Sequence, residues 1–214
     1  MQTAVPAAFI ATCSLASVAC ASIVSTSVNV TQIAQPADAQ LHVLPSTPSA
    51  FAWNEAQDFV LTSPLIVNAS APGLYDNTAD LVNSTIPIGT HISSHYIHFD
   101  SPGSGTATIS NATVTFNAII IGVICINTSA ADANLDDSDY LGAPTLFTHA
   151  EPARGLEFSA NFDNFRISPD QHTIFFNLGI TSPGDFIRVI TMVPAPGAAA
   201  LAAGALTIVG RRRR

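Results

Sequence analysis

The chain has no lysine. All seven basic residues are arginine, four of them together as Arg211 to Arg214, which leaves Arg154, Arg166 and Arg188 as the arginines of the body. Setting the four terminal arginines aside takes the formal charge from −8 to −12. A surface so poor in cations has nothing with which to neutralise phosphates, so nucleic-acid binding is excluded as a function class. Charged residues make up 10%, against about 25% in ordinary globular chains. Cysteine is also scarce. Cys13 and Cys20 lie in the N-terminal apolar stretch and Cys125 stands alone in the body, so no disulfide is expected within a mature chain. Cys125 sits inside the apolar run Ile119 to Ile126, where a buried, inert thiol is the expectation rather than a nucleophile. No convincing amphipathic helical period occurs in the body, which leaves strands as the elements able to bury its apolar residues.

What is present is β-branched and aromatic sequence punctuated by turn dipeptides. Thr90 to Phe99, Thr106 to Phe116, Asn161 to Ile167, His172 to Ile180 and Asp185 to Thr191 read as strands, with Arg154 to Phe158 as another. A bulge is expected at Ser110-Asn111, where the alternation slips. Pro64 breaks the strand-like segment Asp58 to Asn68. Ile119 to Ile126 is the most apolar run and reads as the most central strand. Pro72-Gly73, Ser101-Pro102-Gly103, Ser168-Pro169-Asp170 and Ser182-Pro183-Gly184 supply turns. The expected class is all-β, a β-sandwich or jelly roll of about 8 to 9 strands over residues 51–192. A loose Ser/Thr/Pro-rich lead-in or an edge strand is expected over 22–50, where Ser27 to Ile33 alternates weakly, and a helical turn at Leu135 to Tyr140.

The two ends read as addresses. Residues 1–21 carry an apolar stretch closed by Ala19-Cys20-Ala21, the small-x-small pattern of a signal peptide. Residues 193–214 comprise Val193-Pro194-Ala195-Pro196-Gly197, an apolar run from Ala198 to Val209, Gly210, and Arg211, Arg212, Arg213 and Arg214. The prolines lack backbone donors and stop any strand arriving from upstream. The helix that follows would be about 21 Å long at 1.5 Å per residue, short against a hydrocarbon core of about 30 Å. Four arginines hold such a helix on the cytoplasmic side.

This three-part tail resembles the PEP-CTERM sorting signal of bacterial surface proteins, with Ala195 standing where that family usually has glutamate. The resemblance implies recognition by an exosortase, a membrane-embedded cysteine transpeptidase, after transient membrane insertion of the apolar helix. Delivery to the cell envelope, cell surface or extracellular matrix would follow. An ordinary C-terminal anchor helix is the alternative. The segments Ile97-His98-Phe99-Asp100, Ser138 to Pro144, Arg154-Gly155-Leu156-Glu157 and Gly184 to Thr191 carry a second resemblance, to the bodies of secreted bacterial proteins that often bear such tails. It implies no activity.

Several groups of side chains invite chemistry. The densest is Asp132 to Asp139, where Asp132, Asn134, Asp136 and Asp139 present oxygens suited to a hard cation such as Ca2+. The loop is not an EF-hand, since Asp137 and Ala143 stand where that loop needs glycine and glutamate. Its other reading is a solvated acidic loop capping a helical turn. His91, His95 and His98 lie close in sequence, but strand periodicity puts His95 and His98 on opposite faces. Gly103-Ser104-Gly105 lacks the nucleophile elbow of a serine hydrolase. Glu55, Glu151, Glu157 and the aspartates are candidates for a glycosidase pair only if the fold brings two carboxylates together. The three body arginines, Arg188 on one strand face with Phe186 and Ile190, are expected to pair with carboxylates.

The function expected from these features is a non-enzymatic structural, binding or adhesion role at the cell surface. Signal peptidase, exosortase and an extracellular polysaccharide are the expected partners. A secreted carbohydrate-active hydrolase on a jelly roll is the alternative. A groove with exposed aromatics favours binding, and two carboxylates about 5 to 9 Å apart in a cleft favour hydrolysis.

Overall fold

The computed structural model describes residues 20–39, 42–103, 105–127, 134–143, 154–158, 162–180 and 184–193. The expected signal segment up to Ala19, Asp132, and the tail from Pro194 through Pro196, Gly197 and Arg211 to Arg214 lie outside these residues. Among the described residues no helix is long and apolar enough to cross a membrane.

The protein is all-β. Seven short strands come first: β1 (Ile23–Thr26), β2 (Val30–Gln32), β3 (Ala50–Asn54), β4 (Phe59–Val60), β5 (Leu65–Val67), β6 (Gly73–Tyr75) and β7 (Ser84–Ile86). Longer ones follow as β8 (His91–Phe99), β9 (Ala107–Phe116), β10 (Ile120–Ile124), β11 (Asn164–Ile167), β12 (Thr173–Ile180) and β13 (Asp185–Met192). The count exceeds eight or nine because pieces of two to four residues are too short to show a period in sequence. Among the described residues there is one α-helix, α1 (Asn134–Asp137), which runs into a 3-10 turn at Asp139–Leu141, where a helical turn is expected.

One sheet has the order β1-β9-β12-β11-β6, and another the order β10-β13-β8-β3-β2, with β4 pairing beside β3 on β8. β5 and β7 form a separate two-stranded sheet. The two larger sheets share one core: Ile109, Val114, Phe116, Phe165 and Phe176 from the first cluster with Ile97, Phe99, Ile187 and Val189 from the second. The other face of the second sheet is buried too. There Trp53, Tyr96, Phe186 and Ile190 pack against Leu65, Val67 and Ile86 of the small sheet and against Leu135 and Leu141. A strand covered on both faces has no reason to alternate, and all residues of β8 after His91 are buried.

Several expectations need correction. Of the two readings of the 22–50 segment the edge strand is the one seen: β1 pairs with β9 and β2 runs parallel to β3, each at the end of its sheet, burying Ile23 and Val30 in the shared core. Apolar side chains spaced among its serines and threonines were enough to fix it there. Ile119 to Ile126 supplies β10, which stands at the end of its sheet while β8 and β13 are central. It is apolar because both faces are covered, and its outer edge is closed by a bridge from Val123 to Ala69. The side-chain oxygen of Asn68 accepts from the backbone N–H of Cys125 at 2.9 Å and of Ile126 at 3.2 Å. Arg154 to Phe158 forms no strand.

The expected bulge is present. Ala112 faces Phe176 and Ile109 faces Leu178, so Ser110 and Asn111 together oppose Asn177. Asn111 takes φ 55°, a left-handed conformation that asparagine tolerates better than most residues.

Candidate functional site

The first sheet turns one face to the core, and among the described residues nothing covers the other. Register places Thr113 of β9, Phe175 of β12, Arg166 of β11 and Leu74 of β6 in one row across that outer face. The next row holds Asn177 opposite Asn164. These side chains line a groove of about 440 Å3, and no carboxylate stands among the described residues that line it.

The groove is built by local chemistry. The Arg166 guanidinium carbon lies 3.9 Å from the centre of the Phe175 ring, a cation–π contact. An amide relay runs across the second row. Asn111 donates its backbone N–H to Asn177 Oδ1 at 2.7 Å, Asn177 Nδ2 donates to Asn164 Oδ1 at 2.7 Å, and Asn164 Nδ2 donates to the Phe162 carbonyl at 3.0 Å. The relay fixes both amide orientations, and the bulge brings Asn111 into it. Arg154 and Arg188 are committed to carboxylates. Arg166 stacks on Phe175 and is exposed, so its planar fork of donors faces solvent.

Two of the four residues expected to ligate calcium sit in an ionic network instead facing guanidinium groups. Asp136 lies 2.7 Å from Arg154 Nη2, Asp139 Oδ2 lies 2.6 Å from the same nitrogen, and Asp139 Oδ1 lies 3.1 Å from Arg188 Nη2. Arg154 Nη1 also donates to the Tyr96 hydroxyl, and Arg188 Nη1 to the Leu135 carbonyl. Burial raises the pKa of Asp139 against the opposing pull of both arginines. Asn134, at the start of α1, lines a separate pocket of about 130 Å3 with Tyr140 and Ser63.

The remaining candidates separate. His91 Nδ1 lies 2.8 Å from Asp58 at the surface. His95 packs toward the first sheet on Phe116, while His98 stacks on Phe186 at the opposite face, so the three histidines do not converge. Burial lowers His95 to a pKa of about 3 and His98 to about 4. Cys125 is fully buried, and burial pushes its thiol far above the usual range. Glu55 is committed to Arg188 and Ser94. Ser104 and Glu151 lie outside the described residues. Val193, first residue of the expected sorting motif, is buried and donates its N–H to the His91 carbonyl at 3.3 Å.

The sequence singled out Arg166 but not Phe175, Asn164 or Asn177. Alternation along β9 and β12 does mark Thr113, Phe175 and Asn177 as one face of their strands. Their meeting with Arg166 depends on pairing between strands, which alternation does not specify. Comparison with protein-family models, with curated proteins and with solved structures finds no match to the chain.

Proposed function

We propose that the chain is an exported bacterial protein of the cell surface or extracellular matrix, whose body is a β-sandwich that binds polysaccharide along the groove over β9, β12, β11 and β6. The observation that carries the binding role is the groove itself. It offers amide donors and acceptors from Asn164 and Asn177, an aromatic surface at Phe175 and an exposed guanidinium at Arg166. Hydroxyl-rich ligands are held by such fixed amides beside an apolar surface. A guanidinium adds bidentate recognition of a carboxylate, which favours polysaccharides containing uronic acids. Among the described residues that line the groove there is no carboxylate pair, the arrangement that hydrolysis would require there.

The test is a glycan array with the purified chain, followed by titration of the best hit. Phe175→Ala and Arg166→Gln should each weaken binding at least tenfold while leaving thermal stability nearly unchanged, since both side chains are on an uncovered face. Undiminished binding in both variants would reject the groove.

The export part of the proposal rests on the Pro-x-Pro-Gly element, apolar run and terminal arginines of residues 193–214. In a host with an exosortase the mature protein should lack Arg211 to Arg214, and replacing those arginines with serine should block the processing. Mass spectrometry finding the intact C-terminus on most mature wild-type protein would reject sorting in favour of a plain anchor.

A further inference from the structure

A second group of carboxylates lies away from the groove and from the arginine network. Asp185 opens β13 opposite Phe99 of β8. Asp163 precedes β11, and Glu157 lies in the segment after Arg154. Each offers one oxygen, and the three oxygens lie within 4.8 Å of one another. Asp163 and Asp185 are each 1% exposed, and Glu157 is half-buried.

The donors around the cluster are unevenly shared. Asp163 is held by the backbone, its Oδ2 accepting from Glu157 N–H at 2.9 Å and its Oδ1 from Gly179 N–H at 2.8 Å. Asp185 is different. Neither of its carboxylate oxygens receives a well-formed hydrogen bond, and the side chain it meets is Asp163, another carboxyl group with which only a proton could be shared. Ionised, it would be an acceptor-only group removed from water and facing two more carboxylates, a costly arrangement unless a cation or a proton shares the space. Each of the three carboxylates has an arginine three residues away, but Arg154 and Arg188 direct their guanidinium groups to Asp136, Asp139 and Glu55, and Arg166 stacks on Phe175.

We infer that Glu157, Asp163 and Asp185 form a calcium site that ties the start of β13 to the segment before β11 and to the 154–158 segment. Ligand oxygens at about 2.3 to 2.6 Å from a common ion lie at most about 5 Å apart, and the three oxygens here are inside that limit. The donor set is all oxygen, without the imidazole or thiolate that zinc favours. Calcium accepts irregular cages completed by water or carbonyls, whereas magnesium demands near-octahedral geometry. With no cation, burial and the neighbouring carboxylates raise Asp185 to a pKa of about 9, and Asp163, raised chiefly by burial, stands at about 6. Protons are thus the competitor that calcium must displace. The site is distinct from the acidic loop 132–139, whose described aspartates Asp136 and Asp139 face arginines.

The experiment is calorimetric titration of the full, metal-stripped chain with calcium chloride at pH 7.5, with terbium luminescence as a second readout. The expected result is one calcium per chain, weaker binding of magnesium, and a thermal midpoint raised by millimolar calcium. Asp185→Asn should abolish the binding and the midpoint shift. In the absence of calcium the same variant should melt no lower than wild type, because it replaces a carboxyl group that burial keeps protonated with a neutral amide of nearly the same shape. Should that variant not fold, Glu157→Gln, altering a half-buried ligand, should lower affinity at least tenfold. Asp132→Asn should leave binding intact. No binding to wild type would overturn the site, with a proton shared between Asp163 and Asp185 as the remaining account. Full affinity retained by Asp185→Asn or Glu157→Gln, or binding abolished by Asp132→Asn, would overturn it equally.

Discussion

Arg188 meets Glu55 through two hydrogen bonds, Nε to Oε2 at 2.8 Å and Nη2 to Oε1 at 3.1 Å, across 133 residues of chain. Neither side chain is exposed. The pair sits where β13 and the end of β3 share β8 as neighbour, on the face of the second sheet opposite the shared core. Arg188 lies over the Tyr96 ring at 4.9 Å, and Ser94 donates its hydroxyl to Glu55 Oε2 at 2.6 Å. Asp139, held by both arginines, links this pair to Arg154 and Asp136. Two arginines therefore fasten the α1 region onto the sheet.

The first prediction concerns that fastening. Arg188→Met keeps much of the side-chain volume but leaves Glu55 buried with one donor, Ser94, among its described partners. Breaking a buried pair from one side costs about 3 to 5 kcal/mol, a large fraction of the stability of an ordinary domain. Arg166→Met, made on the uncovered face, should change stability by less than about 0.5 kcal/mol. Denaturant titration of both variants checks the contrast, and equal effects would show that the buried network contributes no more than a surface stack.

The second prediction concerns Gly122 in β10. A Cβ built there would lie 2.5 Å from Val67 Cγ1 and 2.9 Å from Val67 Cβ, and Val67 is fully buried. The glycine lets the small sheet lie against β10. Gly122→Ala should cost about 1 to 3 kcal/mol through overpacking. Val67→Ala in the same chain should recover part of that loss, because it removes the nearest atoms but leaves the Cβ contact. The double-mutant cycle measures the coupling, and strict additivity of the two losses would reject the contact as the cause.

The sequence made the periodic elements legible and left their arrangement open. Strands β8, β9, β12 and β13 were readable because eight or more residues of β-branched and aromatic sequence leave little alternative. The bulge was readable because Ile109 and Val114 are separated by an odd number of positions yet both need the core. The paired arginines were readable from scarcity, since a chain with so few cations and an excess of carboxylates rarely leaves a guanidinium alone in its interior. That Glu55 rather than an aspartate would be the bidentate partner of Arg188 was not, because the contact joins β13 to the end of β3. The Glu157, Asp163 and Asp185 cluster was hidden for the same reason: three carboxylates on separate segments carry no spacing. The groove needed the register of four strands.

The last prediction concerns His95, the most constrained of the histidines. Its Nδ1 lies 2.7 Å from Asn54 Oδ1, which also accepts from Ile23 N–H at 3.1 Å, so this ring nitrogen carries the proton and donates. Its Nε2, 3.0 Å from Thr191 Oγ1, is then the acceptor of a neutral ring, taking the single hydroxyl proton in preference to the more distant Ser93 carbonyl at 3.4 Å. A second proton would have to displace that hydroxyl bond inside a region where burial already holds the pKa near 3. In the unfolded chain the same group titrates near 6.5. The unfolded state thus binds the proton first, and the contribution of neutral His95 is fully present above pH 6.5 and lost as pH falls toward the folded value. His98 and the buried carboxylates also titrate on acidification, with effects of both signs, so the wild-type profile alone does not isolate His95. Comparison with His95→Gln does. The variant should be less stable near neutrality, having lost the ring that packs on Phe116, but its stability should fall less steeply below pH 6. The gap between the two should narrow by about 1.4 kcal/mol per pH unit between pH 6 and 4.5. Parallel profiles in urea titrations across that range would mean that His95 is charged in the folded protein or shielded from titration in the unfolded one, and would reject the neutral, doubly bonded imidazole.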